Sequence, residues 1–467
     1  MSRLWLFLAV ALPVLAATLA PMSSVDLAYQ LRAGGEIIDT RAIPSVDTWT
    51  FTAAGVPWVD QQWGAQVLLA AVYRLGGWTG LVLLRDLLTA VVVGATLAIG
   101  LRRGLDPRVA AVLTLIAFVV AAPAMALRPQ LFGMAFFALT LLLVVLRREW
   151  PRGLWLVPLV VIPWANVHGS FILAPVMLGL AWFEELHDKD PGWRRTLLVG
   201  VLTVAAACLT PLGLGAAWTY AIGLSSNPGV TARTTEWQPT SLRDASGLLF
   251  FASVAAVVVL IARSGRRVPW PTLLWLGVFA AIGVVAQRGV AWWPFVGVAT
   301  LNAGLLPLVP RPTADESRRI NAVVAGVVIL AVVALLPAWR PVDPKTGVPL
   351  LVLTDAPPGL TEAVRSVVRP GDRVLNPQRW GSWFEFATPE ALVAVDSRIE
   401  MFPADRWADF EKVGAAIDGW QELLSSWGVR AAVVERADQQ LRDRLTGSGW
   451  STTYEDSDGW VLVSPAT

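Results

Sequence analysis

Cysteine, histidine and lysine are scarce in this chain of 467 residues. The single cysteine, Cys208, sits within an apolar run, so the chain cannot form an internal disulfide. The two histidines, His168 and His187, are too few for a histidine-rich metal site. Only three of the 37 basic residues are lysines, and the formal net charge of +2 is too small to indicate nucleic acid as a partner.

Charged residues as a whole make up 15% of the chain, against about 25% in an average soluble protein. Motifs of soluble enzymes are missing as well, since there is no Walker A loop, GxSxG elbow, CxxC pair or HExxH motif. The sequence is instead 55% hydrophobic, with a mean hydropathy of +0.57. Its apolar runs of roughly 17–22 residues are long enough to cross a bilayer, which predicts an integral membrane protein.

Apolar segments predict about eleven membrane-spanning helices. Their approximate ranges are 4–22, 80–101, 107–126, 131–147, 153–166, 170–185, 196–214, 247–263, 270–287, 290–308 and 320–338. A cleaved signal peptide over residues 1–20 is the alternative for the first segment, but the spans that follow favour an uncleaved helix. Residues 62–77 are too short for a full crossing and predict a re-entrant or interfacial helix.

Arginines occupy every second loop between these segments, which predicts an orientation under the positive-inside rule. The predicted cytoplasmic loops carry Arg102, Arg103 and Arg108; Arg147, Arg148 and Arg152; Lys189, Arg194 and Arg195; Arg263, Arg266 and Arg267; and Arg311, Arg318 and Arg319. This pattern predicts a cytoplasmic N-terminus and a C-terminal domain outside the cytoplasm.

The chain is predicted to divide into a membrane module at 1–338, a linker at 339–356 and an α/β domain at 357–467. Two long outer loops, 23–61 and 215–246, belong to the predicted membrane module. In the tail, polar residues alternate with short apolar strands. Helices are predicted at 358–368, 404–416, 418–427 and 437–446, strands at 372–376, 391–396 and 430–435, and a hairpin at 450–464 that turns at Asp458-Gly459.

Polar residues gather on the predicted outer face, although the choice of spans does not depend on them. They are Asp26, Arg128, Asn166, His168, Glu236 and Arg288. Arg128 and Arg288 lie in short outer turns, against the positive-inside trend, and arginine binds phosphate in a fork geometry. We therefore predict that the pair binds phosphate or pyrophosphate with Asn166, His168 and Glu236 nearby. Snorkelling to the headgroups or a local ion pair is the alternative for the arginines, and a packed histidine is the alternative for His168.

Three aspartates on the same predicted face, Asp26, Asp47 and Asp60, are candidate acids. Transfer of a sugar to a hydroxyl group needs a base that takes the acceptor proton. Asp26 is the candidate for this catalytic role, and Asp60 is a candidate for substrate binding. Helix capping or turn formation is the alternative for each, most of all for Asp47, which follows Pro44-Ser45.

The order of these segments resembles the GT-C superfamily of membrane glycosyltransferases, which use lipid-phosphate sugars. The first outer loop from Ser23 to Gly77 is similar to that of uncharacterised bacterial members, as are RPQLF, PWANVHGSF, TEWQP and the tail stretch NPQRWGSWFEFATPEALVAVDSRIEMFP. In GT-C enzymes an acidic residue early in this loop acts as catalytic base or metal ligand, and Asp26 occupies its place. The resemblance implies a polyprenyl-phosphate donor and the inner membrane of a bacterial cell.

The sequence departs from this pattern at two places. Ala28, Tyr29 and Gln30 stand where related sequences often have a tryptophan pair and a histidine, and Gln62 stands where they often have glutamate. No cofactor is therefore identified from the sequence, and a divalent cation stays open.

Three tail residues, Trp380, Asp396 and Arg398, are candidates for acceptor binding. Asp396 and Arg398 follow a predicted strand at its C-terminal end, where ligands approach α/β sheets. They are two residues apart, so in an extended chain they share a face. A local ion pair that docks the tail is the alternative.

The leading hypothesis is an inverting glycosyltransferase that moves a hexose or pentose from a polyprenyl-phosphate donor to a lipid, glycan or protein of the cell envelope. Its partners would be the bilayer, the lipid-linked donor and that acceptor. One alternative is a transporter or flippase for a lipid-linked sugar. Another is a non-catalytic GT-C-like assembly subunit, which Gln30 and Gln62 motivate.

Overall fold

A computed structural model of the chain describes residues 2–265, 267–302 and 317–465. Its α-helices are, in chain order, α1 (Ser2–Leu19), α2 (Ser24–Thr40), α3 (Trp63–Arg102), α4 (Pro107–Ala121), α5 (Pro129–Leu146), α6 (Leu156–Ala165), α7 (Leu173–His187), α8 (Trp193–Ala206), α9 (Ala216–Ser226), α10 (Pro228–Arg233), α11 (Ala245–Arg263), α12 (Trp270–Val285), α13 (Trp293–Thr300), α14 (Arg318–Ala334), α15 (Pro358–Val367), α16 (Gln378–Ala387), α17 (Ala404–Gly414), α18 (Trp420–Ser426) and α19 (Gln439–Gly447). Its strands are β1 (Met22–Ser23), β2 (Leu353–Thr354), β3 (Arg373–Leu375), β4 (Leu392–Val393), β5 (Val429–Glu435), β6 (Ser451–Glu455) and β7 (Gly459–Val463). The end of the predicted span 290–308, together with Arg266 and Arg311, lies outside the described residues.

The chain forms two compact units, each built from two separate stretches of sequence. The first unit comprises Met1–Ala20 and Gly80–Leu336, and the second comprises Pro21–Thr79 and Pro337–Thr467. The outer loop 23–61, which the sequence analysis placed in the membrane module, thus packs with the C-terminal part of the chain.

The helices identify a multi-pass membrane protein. Within the described residues, those long and apolar enough to cross a membrane are Trp63–Arg102, Pro107–Ala124, Pro129–Leu146, Gly169–His187 and Ala245–Arg263. Shorter apolar helices cover Arg3–Leu19, Gly153–Ala165 and Trp270–Val285. Five helices therefore meet the length criterion, and the predicted count of about eleven spans stays a prediction.

Helix α3 is interrupted at Gly77, whose φ of 55° and ψ of −148° are non-helical. A residue with a side chain rarely adopts this backbone conformation, so glycine permits the break. The break separates the predicted short helix at 62–77 from the predicted span at 80–101, as the sequence analysis expected. Placement of the short helix in or on the membrane stays a prediction.

Helix α5 is the most buried long helix of the first unit, and its packing fixes the turn before it. Phe137 of α5 lies with its ring centroid 5.7 Å from that of Phe279 and 5.0 Å from that of Trp292. Helix α11 differs, because only Gly247 and Phe250 of its residues are buried. Its remaining apolar side chains face outward, as expected for a helix in contact with lipid.

The second unit contains a mixed five-stranded sheet in the order β4-β3-β5-β7-β6. Strand β3 pairs in parallel with β4 and β5, whereas β7 pairs antiparallel with β5 and β6. The predicted hairpin is present as β6 and β7. Strands β1 and β2 form a separate parallel pair that joins the two stretches of this unit.

Helices α2 and α16 were missed by the sequence analysis, and the Gly34-Gly35 pair, of a kind typical of turns, does not form one. Both glycines lie inside α2, which begins after Ser23, whose hydroxyl accepts a hydrogen bond from the Val25 N–H. A Cβ atom on Gly34 would lie 1.9 Å from the carbonyl oxygen of Gln66. Glycine therefore serves here to bring α2 against the backbone of α3.

Candidate functional site

The predicted site residues fall into both units. Asn166, Arg128, His168, Glu236 and Arg288 belong to the first unit, whereas Asp26, Asp60, Trp380, Asp396 and Arg398 belong to the second. In the first unit, Arg128, His168, Glu236 and Arg288 are brought together. Each of these four residues lies in a turn between helices, and their role in phosphate binding stays a prediction.

Local structure explains these positions. Arg128 is the extended residue before α5, and Pro129 after it begins the helix. The turn that carries Glu236 is tied to the turn that carries Arg288, because the Gln287 N–H donates to the Gln238 carbonyl oxygen at 2.9 Å. Two distant stretches of sequence therefore present their charged side chains at one place.

Glu236 lies between two arginines. Its carboxylate forms an ion pair with Arg128 and lies 4.0 Å from Nε of Arg288, whose guanidinium stacks 4.7 Å above the ring centroid of Trp237. Burial alone would raise the pKa of Glu236, but the charges of Arg128 and Arg288 outweigh it and hold the pKa below its usual range. The carboxylate is thus ionised, and the three side chains together carry one net positive charge.

His168 faces Arg288 with a fixed ring orientation. Its Nδ1 atom accepts a hydrogen bond from the Ser170 N–H at 3.1 Å and lies 2.8 Å from Ser170 Oγ, which in turn accepts from Trp164 Nε1 at 3.0 Å. Because Nδ1 is an acceptor, the neutral ring carries its proton on Nε2. Burial, followed by the charges of Arg288 and Arg128, holds the pKa of His168 well below its usual range.

The neutral ring therefore presents Nε2–H as an uncharged donor, 3.5 Å from Nη2 of Arg288. Two donor groups so close together favour an acceptor atom between or beside them. Gly133 makes this packing feasible, since a Cβ atom there would lie 2.5 Å from Ser170 Oγ and 3.1 Å from His168 Nδ1.

A cavity of about 200 Å³ opens beside this cluster. Its lining includes apolar residues such as Val120 and Ala291 together with Arg128, Glu236, Arg288 and Gln130. The amide of Gln130 is buried, and no described residue forms a hydrogen bond with its nitrogen or oxygen. Such a lining suits a ligand with three kinds of group. The arginines would bind an anionic group, the amide of Gln130 would bind a polar group, and the apolar residues would contact an apolar group.

Gln130, Ser170 and Trp237 were missed as functional candidates. Gln130 and Trp237 stand within the RPQLF and TEWQP segments that carry the family resemblance, so the same motifs contained the signal. Asn166 belongs to the same unit, and its role in substrate binding stays a prediction. Its side-chain amide donates to the carbonyl oxygens of Ile162 and Leu209, at 2.9 Å each, and so holds the end of α6.

A second arginine cluster lies inside the second unit. Arg398 donates from Nη2 to Asp47 Oδ1 at 2.7 Å and from Nε to Asp396 Oδ2 at 2.8 Å, and Glu385 Oε1 lies 3.6 Å away. The arginine side chain is 1% exposed and the three carboxylates are fully buried. This observation bears out the ion-pair alternative for Asp396 and Arg398, extended to Asp47 at the other end of the chain. Acceptor binding by these residues stays a prediction.

Tryptophans complete the enclosure of Arg398. Its Cζ atom lies 4.5 Å from the ring centroid of Trp49 and 4.5 Å from that of Trp58, and both rings are buried. In the structure they surround a buried guanidinium.

The remaining candidates of the second unit have different surroundings. Asp26 lies half-buried in the first turn of α2. Asp60 is buried and accepts a hydrogen bond from Gln66 Nε2 at 2.7 Å, and burial raises the pKa of Asp60 to about 7. Trp380 is buried beneath the guanidinium of Arg379, which lies 4.8 Å above its ring. Within the described residues, no three or more His, Cys, Asp or Glu side chains form a group that could hold a metal ion.

Solved structures with a similar fold are membrane glycosyltransferases. An oligosaccharyltransferase from Archaeoglobus fulgidus, tethered to an acceptor peptide with the NVT sequon, matches with a TM-score of 0.59 and 12% identity over 98% of this chain and 74% of that chain. The same organism's AglB, in complex with an inhibitory peptide and a dolichol-phosphate, matches with a TM-score of 0.57 and 11% identity over 92% and 69%. ArnT from Cupriavidus metallidurans has a TM-score of 0.46 and 12% identity over 99% and 98%. A scan against protein-family models and a search of curated proteins found no match.

The likeness to the oligosaccharyltransferase shows a shared fold, and membership in the GT-C superfamily stays a prediction. The bacterial, polyprenyl-phosphate-dependent branch stays a prediction.

Proposed function

We propose that the protein is a membrane glycosyltransferase that takes a sugar from a polyprenyl-phosphate donor and transfers it to an acceptor hydroxyl or amide of the cell envelope. The observation that carries this proposal is the cavity lined by Arg128, Glu236 and Arg288, with His168 Nε2 3.5 Å from Nη2 of Arg288. Its net charge of +1, from two arginines and one ionised glutamate, matches the single negative charge of a phosphodiester. The GT-C fold, seen with dolichol-phosphate in a structural neighbour, supports this choice of donor.

The cluster would act on the departing phosphate. As the acceptor oxygen or nitrogen attacks the anomeric carbon from the opposite face, the bond between that carbon and the phosphate oxygen breaks and its electron pair stays on the phosphate. Arg128 and Arg288 would stabilise the added negative charge, and Nε2–H of His168 would donate a hydrogen bond to it. Glu236 would hold both guanidinium groups in place between turnovers.

Asp26 is the proposed base that accepts the proton of the attacking group. Its place in the first turn of α2, together with the acidic residue that GT-C enzymes carry early in this loop, supports the role. We propose that the reaction inverts the anomeric configuration and takes place at the outer face of the bacterial inner membrane.

Donor binding and transfer can be tested separately. We expect Arg128→Ala and Arg288→Ala to reduce binding of a radiolabelled polyprenyl-phosphate sugar by protein in nanodiscs, and to slow transfer by about 100-fold or more. Asp26→Asn should retain donor binding and lose transfer. Arg243→Ala, an exposed arginine of the same long loop as Glu236, is the matched control.

Envelope glycans of a strain that lacks the native copy provide the cellular readout. Normal glycans with Asp26→Asn and with Arg128→Ala would contradict the proposed roles. Donor movement across liposome membranes without any transfer would instead favour a flippase.

A further inference from the structure

Buried oxygen atoms accumulate where α2 runs beside the start of α3. The two helices meet at Gly34 and Gln66, and one turn earlier Gln30 Nε2 donates to Gln62 Oε1 at 2.8 Å. Asp60 lies just before α3 and is joined to Gln66 at 2.7 Å. One continuous group of amide and carboxylate side chains therefore lines this part of the second unit.

Several acceptor atoms in this group receive no hydrogen bond from the residues that the structure describes. Gln30, Asp60 and Gln66 are 1%, 3% and 0% exposed, respectively. The atoms Gln30 Oε1, Asp60 Oδ2 and Gln66 Oε1 are buried, and none of them receives a hydrogen bond from the described part of the chain. Leaving several buried acceptors unsatisfied costs about 1–3 kcal/mol each, which favours an occupant that supplies positive charge or protons.

We propose that Gln30, Asp60 and Gln66 form a binding site for one monovalent metal cation, sodium or potassium. Oxygen atoms of carboxylates and amides are the ligands that hard cations prefer. Only one of the three side chains carries a formal charge, which balances a monovalent cation, whereas calcium sites generally use several carboxylates. This site is independent of the proposed transfer reaction, because none of its three residues belongs to the arginine cavity.

Among the described residues, the charge of ionised Asp60 is not balanced by a basic partner of its own, so a cation could balance it. Burial raises the pKa of its carboxyl group to about 7, while hydrogen bonding from Gln66 and the charge of Arg398 lower it and the charge of Glu400 raises it. Arg398 is already engaged with Asp47 and Asp396. A proton compensates Asp60 below pH 7, and the cation would take over this role above it.

The test is thermal unfolding of the purified full-length protein in detergent, followed by tryptophan fluorescence at pH 8. Sodium chloride, potassium chloride and N-methylglucamine chloride are compared at equal ionic strength. Sodium or potassium should raise the midpoint of unfolding of the second unit by about 3–5 °C at ten times the dissociation constant, and the midpoint should keep rising with the logarithm of the ion concentration. The preferred ion of the two is the one whose effect begins at the lower concentration.

Matched variants separate site binding from general salt effects. Asp60→Asn keeps the shape of the side chain and should abolish the cation response. Asp39→Asn, which changes an exposed aspartate of α2, should leave the response intact. In the wild-type protein alone, the response should weaken from pH 8 to pH 6, because protons then compete for Asp60.

Equal midpoints in all three chlorides would overturn the proposal and indicate buried water. A stabilisation that requires micromolar magnesium or calcium, with no effect of sodium or potassium, would overturn it as well.

Discussion

The protein contains two arginine clusters built from the same residue types, and they differ in charge balance and in access. In the first unit, Arg128 and Arg288 share one carboxylate and stand beside a cavity, each with 22% of its side chain exposed. In the second unit, Arg398 is 1% exposed and faces three buried carboxylates. The first cluster has more arginine than acid and is accessible, so it suits an anionic ligand. The second cluster has more acid than arginine and is enclosed, so it contributes to the stability of the fold.

This contrast shows that an arginine next to an acidic residue does not by itself indicate a ligand-binding site. Sequence reasoning rated Asp396 and Arg398 as acceptor candidates because they follow a strand, and rated Arg128 and Arg288 as phosphate ligands because they oppose the charge trend of their loops. The second argument used a deviation from an expected pattern, and the cluster it selected is the one that borders a cavity.

The largest expected difference between the two clusters is in stability, and removal of the enclosed Arg398 tests it. Arg398→Met leaves Asp47 and Asp396 buried without compensation, so the free energy of unfolding of the second unit should fall by about 3–5 kcal/mol. Chemical unfolding monitored by tryptophan fluorescence measures this change. Arg128→Ala, at a partly exposed ion pair, should cost only about 0–1 kcal/mol.

Adding Asp47→Asn and Asp396→Asn to Arg398→Met removes the buried charges together. We expect this triple variant to regain part of the lost stability. A single variant as stable as the wild-type protein would mean that the cluster does not hold the second unit together.

A second test addresses the accessible cluster of Arg128 and Arg288 through the packing of His168 beside it. Gly133→Ala places a Cβ atom 2.5 Å from Ser170 Oγ and 3.1 Å from His168 Nδ1, which should displace the histidine ring. Affinity for the donor phosphate should fall by about tenfold, or roughly 1.4 kcal/mol.

Gly179→Ala in α7 is the matched control, because an added Cβ atom there has no neighbour within 4 Å. It should bind donor as the wild-type protein does. Unchanged donor affinity in Gly133→Ala would remove His168 from the proposed site.

A further test concerns the proton balance of the enclosed cluster. Burial, with the charge of Asp396 next, holds the pKa of Glu385 well above its usual range, while Arg398 and Arg32 act in the opposite direction. The folded protein therefore binds this proton more tightly than the unfolded chain, and its contribution to stability is lost as pH rises above about 4.5 toward the folded pKa.

Glu385→Gln keeps the side chain neutral at every pH, so its stability should not show this decline. The difference in slope from the wild-type protein is at most about 1.4 kcal/mol per pH unit, read from unfolding curves between pH 5 and pH 8. Glu390→Gln, at an exposed position, should keep the wild-type slope. Parallel pH profiles for the wild-type protein and Glu385→Gln would argue that Glu385 is ionised in the fold.

Much of the helical layout could be predicted because apolar runs report directly on membrane crossing. The helix α2 could not, since Gly34 and Gly35 suggest a turn and the reason for glycine is a contact with Gln66 that lies 32 residues along the chain. Tertiary packing here overrides local propensity. Helix α16 was not predicted for the same reason, because tertiary contacts bury its Trp380, Trp383 and Phe384.

The candidate site was predictable in its charged members, which stand in short turns of otherwise apolar sequence. The motifs draw attention to the segments that contain Gln130, Ser170 and Trp237 but do not give their roles, because an amide, a hydroxyl or a ring gains its role only from what surrounds it. The partnership of Asp47 with Arg398 spans 351 residues, and no local pattern reports on such a pair.

That long separation also has a consequence for biogenesis. At translation rates of about 5–20 residues per second, the ribosome needs on the order of 20–70 s after making Asp47 before it makes Arg398. During this interval Trp49 and Trp58 have been synthesised, but the guanidinium group that they enclose in the folded protein has not. The aromatic side chains of this loop thus stay without this cationic partner until Arg398 has been translated.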